Sequence, residues 1–158
     1  MSHVGEMYIS LIHYYKEGEA GMGIVHAEIT IKNAVDAGNS RRGSIKEQDV
    51  RQATVQAMVD TGAGTLVINE KLRLQLGLEV QGTRQAALAN DAKEMVKIVE
   101  PVEIHWKNRK MTCEPLVVGG EGKILLGAIP LEDMDLMVDP VRLELTGAHG
   151  DEVVSILM

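Results

Sequence analysis

The chain has 158 residues, one cysteine and a formal net charge of -7 at pH 7, long enough for one domain with a genuine core but short for two full lobes. The acidic balance excludes nucleic acid as the main partner, because phosphate binding needs a basic face and the pair Arg41-Arg42 is too small a patch. Lone Cys113 excludes an intramolecular disulfide, no apolar run reaches the roughly 20 residues of a membrane helix, and residues 1–21 lack a signal-peptide core, so a cytoplasmic protein with no membrane partner is expected.

Residues 1–21 show no clean period: an apolar cluster of Tyr8, Ile9, Leu11, Ile12, Tyr14 and Tyr15 precedes a polar run from Lys16. They read as an N-terminal extension, with the domain itself expected over 22–146. From Val25 the apolar residues alternate through Ala27, Ile29 and Ile31, the pattern of a half-buried strand. Residues 33–49 are rich in Asn, Gly, Ser, Arg, Lys and Asp and read as a long exposed loop. Strand pattern returns with Ala53, Val55, Ala57 and Val59, which deliver Asp60 at a strand end. After the strand-like Thr65-Leu66-Val67-Ile68, Asn69 is suited to cap a short helix carrying Leu72 and Leu76 on one face and stopped by Gly77.

Residues 81–99 look like a hairpin with a polar tip at Asn90-Asp91. Val102, Ile104 and Trp106 alternate into a turn over 107–110, and 111–118 return as one strand ended by Gly119-Gly120-Glu121-Gly122. A further apolar strand through Leu125 and Leu126 closes on Gly127, and a short segment from Ile129-Pro130 follows. The last strand-like pieces are 135–138 and 141–145, around an Asp139-Pro140 corner, and 147–158 form a tail whose Val153-Val154-Ser155-Ile156-Leu157 suits pairing at a dimer edge. Many short strands separated by turns make an all-β, barrel-like fold with one or two short helices.

The chemistry concentrates in Asp60-Thr61-Gly62-Ala63, set between an apolar strand and Thr65-Leu66-Val67-Ile68. A carboxylate at a strand end, a hydroxyl able to lock the loop and a glycine that admits close backbone approach each have a physical job there. With Lys123-Ile124-Leu125-Leu126-Gly127-Ala128 downstream, this order and spacing resemble the retropepsin family of aspartic proteases. The resemblance implies a closed barrel in which the apolar-apolar-Gly strand passes beneath the catalytic loop, followed by a short helix.

It also implies an aspartic endopeptidase acting on a peptide or protein substrate, with no metal or organic cofactor. That chemistry uses two carboxylates and one Asp-Thr-Gly is present, so a second copy of the chain must supply the other, in a symmetric homodimer. Asp60 is then the catalytic residue, Thr61, Gly62 and Ala63 form the active-site loop, and Leu88, Ala89, Asn90 and Asp91 of the hairpin, with Leu126 and Gly127, are the substrate-binding residues. Two departures stand out: the hairpin tip lacks the glycines of the viral flap, and Ala128 replaces the Arg that follows the second glycine in the viral enzymes. The alternative is a non-catalytic peptide-binding module on the same fold.

Other motifs are weaker. His3, His13, His26, His105 and His149 are scattered singly, and with one Cys they make a metal centre improbable. Gly119-Gly120-Glu121-Gly122-Lys123 lacks the first glycine and the final Ser or Thr of a phosphate loop and reads as a turn. Glu132, Asp133, Asp135 and Asp139 read as a solvated acidic face.

Overall fold

The computed structural model of the chain describes residues 24–87 and 91–157, so residues 1–21, the expected domain start at 22 and positions 88–90 lie outside it. β1 (Val25–Asn33) carries the alternation into structure, with Val25, Ala27, Ile29 and Ile31 buried and the residues between them turned outward. It pairs antiparallel with β2 (Gln52–Val59) along its length, Val25 opposite Val59 and Lys32 opposite Gln52. A slip of one residue would turn the whole apolar face to water, which is what holds this register. Ala57, Met58 and Val59 at the end of β2 are all buried, so the strand is covered on both faces where it reaches Asp60.

The remaining strands are β3 (Leu66–Asn69), β4 (Val80–Ala87), β5 (Lys93–Val99), β6 (Val102–Trp106), β7 (Arg109–Cys113), β8 (Leu116–Val118), β9 (Leu125–Leu126), β10 (Leu136–Asp139) and β11 (Glu144–Gly147). Among the described residues nine of them form one sheet in the order β4-β5-β8-β3-β9-β2-β1-β6-β7, curled into a half-barrel, and β10 pairs with β11. The fold is thus mainly β, with few short helices. Ile29, Ile31, Leu66, Ile68, Ile104 and Leu126 are fully buried in one connected core.

Four elements differ from the expectation. Residues 33–49 hold α1 (Ala34–Arg41) and a 3-10 turn (Glu47–Asp49) where a loop is predicted. Its Gly, Asn and Ser are poor helix formers. A local cap and two longer-range contacts hold it instead: the Asn33 side chain accepts from Asp36 N–H, Arg51 clasps Asp36 through two side-chain hydrogen bonds, and Arg41 reaches the buried Glu103. The Arg51 hydrogen bonds keep the Asp36 carboxyl below its ordinary value. Burial alone would push Glu103 up, but hydrogen bonds from His105 and Arg41 outweigh it and leave that carboxyl lowered.

The single strand predicted over 111–118 is two, β7 pairing with β6 and β8 with β3 and β5. Pro115 separates them, since proline offers no N–H to a ladder. The turn before β7 is confined to Lys107 and Asn108, which puts Arg109 in the strand opposite Trp106. At the C-terminal end the strands fall at 136–139 and 144–147 because Asp139 Oδ1 accepts from both Val141 and Arg142 N–H, drawing residues 140–143 into the turn. The segment 153–157 pairs with no strand among the described residues.

α2 (Glu70–Leu76) follows the expectation in detail. The Asn69 side chain accepts from Leu72 N–H at 2.8 Å, Leu72 and Leu76 are buried, and Gly77 ends the helix in the left-handed conformation at φ 64°. Glu70 in its first turn receives Arg73 and, from β5, Lys97. The Arg73 hydrogen bonds, with Lys97 adding, bring the Glu70 carboxyl down from 4.5 to about 2. A carboxyl whose folded value lies below its unfolded one stabilises the protein above the unfolded value and loses that contribution as pH falls toward the folded one. Glu70→Gln should therefore lower stability at pH 7 by up to about 1 kcal/mol, as for other partly exposed pairs. In calorimetry its gap to wild type should close between pH 4.5 and about 2.

Candidate active site

β9 lies between the two strands that enter and leave the Asp60 loop. Met58 and Val59 of β2 run parallel to Leu125 and Leu126, and Leu66 and Val67 of β3 run antiparallel to the same pair. Main-chain hydrogen bonds then fasten the loop: Asp60 N–H donates to Leu126 at 3.0 Å, Ala63 N–H to Asp60 at 3.0 Å, and the N–H groups of Ala128 and Ile129 to Ala63 and Gly64 at 2.8 and 3.0 Å. Those last two begin α3 (Ala128–Asp133), so the short helix grows directly from the underside of the loop.

Gly127 is required by this crossing. A Cβ there would lie 2.4 Å from the Thr65 carbonyl oxygen and 2.6 Å from that of Ala63, closer than any side chain is tolerated. The need is for close approach of two backbones, not for an unusual φ.

Asp60 itself is buried, with 8% of its surface exposed. Oδ1 accepts from the Gly62 N–H at 2.8 Å, whereas Oδ2 is buried with no hydrogen-bond partner among the described residues. A buried carboxylate oxygen without a partner is costly, which sets this atom apart from the other buried polar groups of the loop. Thr61 is exposed at the loop tip, Gly62 is half-buried and Ala63 is buried.

The structure thus brings Asp60, Thr61, Gly62 and Ala63 together in one loop. Leu126, with no exposed surface, and Gly127, packed against the loop backbone, sit beneath it. Both support the loop from below, because β9 is a central strand flanked in the sheet by β2 and β3. Leu88, Ala89 and Asn90 lie outside the described residues. Asp91 is exposed, in the left-handed conformation at φ 63°, where the chain enters β5. β4 and β5 pair from Val80 opposite Val99 to Ala87 opposite Lys93, so the hairpin is formed as expected.

Beside Thr61 opens a cavity of about 680 Å³, walled by Ile129 and Leu131 of α3, by Leu136 and Met137, and by Val154 of the tail. Two residues that organise it escape the sequence reading. Asp135 is not part of a solvated face: its carboxylate shares a 2.7 Å hydrogen bond with His149 Nδ1 and accepts from Val154 N–H at 3.0 Å. The His149 bond, then that of Val154, hold the carboxyl below its ordinary value. Arg109 is 4% exposed and donates to main-chain carbonyls of the same region. Extending the alternation of Cys113 and Met111 back by two residues would have shown Arg109 facing inward.

Competing chemistries find little support. Burial pushes the Cys113 thiol up to about 11, which makes it a poor nucleophile. Among the described residues no group of three or more His, Cys, Asp or Glu is placed to hold a metal ion.

A mainly β half-barrel with an Asp-Thr-Gly loop lashed over an apolar strand that ends in glycine defines a retropepsin-like protein. The chain matches the family described as "gag-polyprotein putative aspartyl protease" over residues 46–133, more than half its length and the stretch that contains both motifs, and it belongs to that family. Solved structures similar to it include two retropepsin-like proteins. One is the retroviral protease-like domain of Ddi1 from Leishmania major, 15% identical with a TM-score of 0.44, over 73% of this chain and 81% of that one. The other is a retropepsin-like aspartic protease from Rickettsia conorii, 14% identical with a TM-score of 0.44, over 73% of this chain and 76% of that one. No curated protein sequence matches.

Proposed function

We propose that the protein is an aspartic endopeptidase that works as a symmetric homodimer, hydrolysing peptide bonds with a water activated between two Asp60 carboxylates, one from each copy. The observation that carries this reading is the Asp60 carboxylate: Oδ1 is fixed by Gly62 N–H, and Oδ2 is buried with no partner among the described residues. One carboxyl cannot serve as acid and base in the same step, and a two-fold axis at the loop provides the second. At about 4 Å and an effective dielectric of about 20, two like charges repel by about 4 kcal/mol, so the pair holds one proton between them.

The ionised carboxylate takes a proton from the water, whose oxygen attacks the peptide carbonyl, while the protonated carboxyl donates to the carbonyl oxygen. Collapse of the tetrahedral gem-diol breaks the C–N bond: the carboxyl now carrying a proton passes it to the leaving amine, while the other carboxylate takes back a hydroxyl proton as the carbonyl re-forms, which restores the singly protonated pair. Thr61, exposed at the loop tip, is placed in this reading to bond the partner loop, and the β4–β5 hairpin to cover an extended peptide. We assign residues 22–146 to the protease domain, and a cytoplasmic site of action suits a chain with one thiol.

The reading is tested by incubating the purified protein with a diverse peptide library at several pH values. Specific activity should also fall on dilution, in step with the loss of dimer in sedimentation velocity run over the same concentrations. A monomer with full activity would exclude the shared site.

A further inference from the structure

We propose that Arg109 is a positioning residue that holds α3, and through α3 the Asp60 loop, in working position; the proposal rests on the catalytic role of that loop. Arg109 follows a two-residue hairpin turn, yet its side chain is buried. Nη1 donates to the carbonyls of Met134, at 3.0 Å, and Asp135; Nη2 donates to those of Gly150 and Glu152. The Trp106 ring lies 6.0 Å from its guanidinium carbon. A buried cation is costly unless its donors are satisfied, and here both Nη groups bond the carbonyls of two separate segments, while the buried Nε has no partner among the described residues. What the residue fixes is therefore specific: the C-terminal end of α3 and the turn that leads into the tail.

α3 has six residues, too few to hold a position by its own hydrogen bonds. Its two ends are secured by different parts of the fold. At the N-terminal end, Ala128 and Ile129 donate to Ala63 and Gly64 of the Asp60 loop; at the C-terminal end, the carbonyls of Met134 and Asp135 rest on Arg109. The helix is a strut between the β6–β7 hairpin and the loop. The same clamp sets the cavity wall beside Thr61, because Asp135 also receives Val154 N–H of the tail.

The seat is tight enough to offer a second way of disturbing it. A Cβ on Gly147 would lie 2.3 Å from Arg109 Nη2 and 2.0 Å from the Gly150 carbonyl oxygen. Gly147→Ala therefore displaces the guanidinium while keeping its charge, and Arg109→Lys keeps the charge while removing the fork that serves four carbonyls.

Amide exchange and steady-state peptide cleavage of wild type and both variants test the proposal. The Ala128 and Ile129 amides should exchange at least about ten-fold faster in each variant, while those of β1 and β2 keep their wild-type rates. In the same variants kcat should fall at least about ten-fold with KM nearly unchanged, because a displaced loop misplaces the water and not the peptide. Folded variants with wild-type protection at Ala128 and Ile129, or with wild-type kcat, overturn the proposal. So does a loss of protection spread equally over β1 and β2, or a loss of cooperative folding in both variants, since Arg109 would then be a general support of the core. Should the wild-type protein cleave no peptide, the protease reading fails, and the exchange measurement still decides whether the strut exists.

Discussion

Asp60→Asn should lower peptide cleavage by at least about 10³-fold in kcat while the protein still folds and dimerises, the size expected when the acid and base of a reaction are removed together. The fold survives because Oδ1 of asparagine can still accept from Gly62 N–H, the bond that fixes the wild-type carboxylate at 2.8 Å. The chemistry does not survive, because an amide neither takes a proton from water nor passes one to the leaving amine. At the two-fold axis, two amides replace two carboxylates that repel by about 4 kcal/mol when both are ionised, so the variant dimer should dissociate at lower concentration than wild type near neutral pH. Peptide cleavage assays with sedimentation velocity measure both effects. Equal cleavage by wild type and variant would remove Asp60 from the mechanism, and a peptide bound by both proteins but cleaved by neither would identify a binding module instead.

Gly127→Ala should destabilise the protein by more than about 3 kcal/mol, beyond the usual range for overpacking, because the added carbon meets backbone on every side. It would stand 2.4, 2.6 and 2.7 Å from Thr65 O, Ala63 O and Thr65 N, none of which can rotate away as a side chain does. Relief requires β9 and the Asp60 loop to separate, and with them the hydrogen bonds from Asp60, Ala128 and Ile129 N–H that bind the two. Calorimetry should show a melting temperature lower by about 10 °C, using the slope for domains of this size, and cleavage should be lost with it. Gly122→Ala is the matching control: its Cβ would meet only Val118 Cγ2, at an ordinary 3.5 Å, and stability should stay within about 0.5 kcal/mol of wild type.

Much of the fold is legible wherever one local rule acts alone. The alternation of Val25, Ala27, Ile29 and Ile31 names the buried face of β1, and Asn69 and Gly77 bound α2, because capping and period are properties of neighbouring residues. α1 is not legible, since its stability comes from Arg51 and Glu103, which lie 15 and 62 residues from the helix residues they bind. The acidic group after α3 misleads for a similar reason. Asp135 looks like its solvated neighbours until the tail brings His149 and Val154 to it.

By itself the sequence determined the mainly β class, the Asp-Thr-Gly loop at a strand end and the second motif that supports it, because these depend on residue type, period and spacing along a short stretch of chain. Only the tertiary structure decided that β9 enters between β2 and β3, that Asp60 Oδ2 is buried without a partner, and that Arg109 turns inward to clamp α3 and the tail. Each of these joins groups far apart in the chain, and which distant backbone fills a given space is settled by packing of the whole sheet rather than by local propensity.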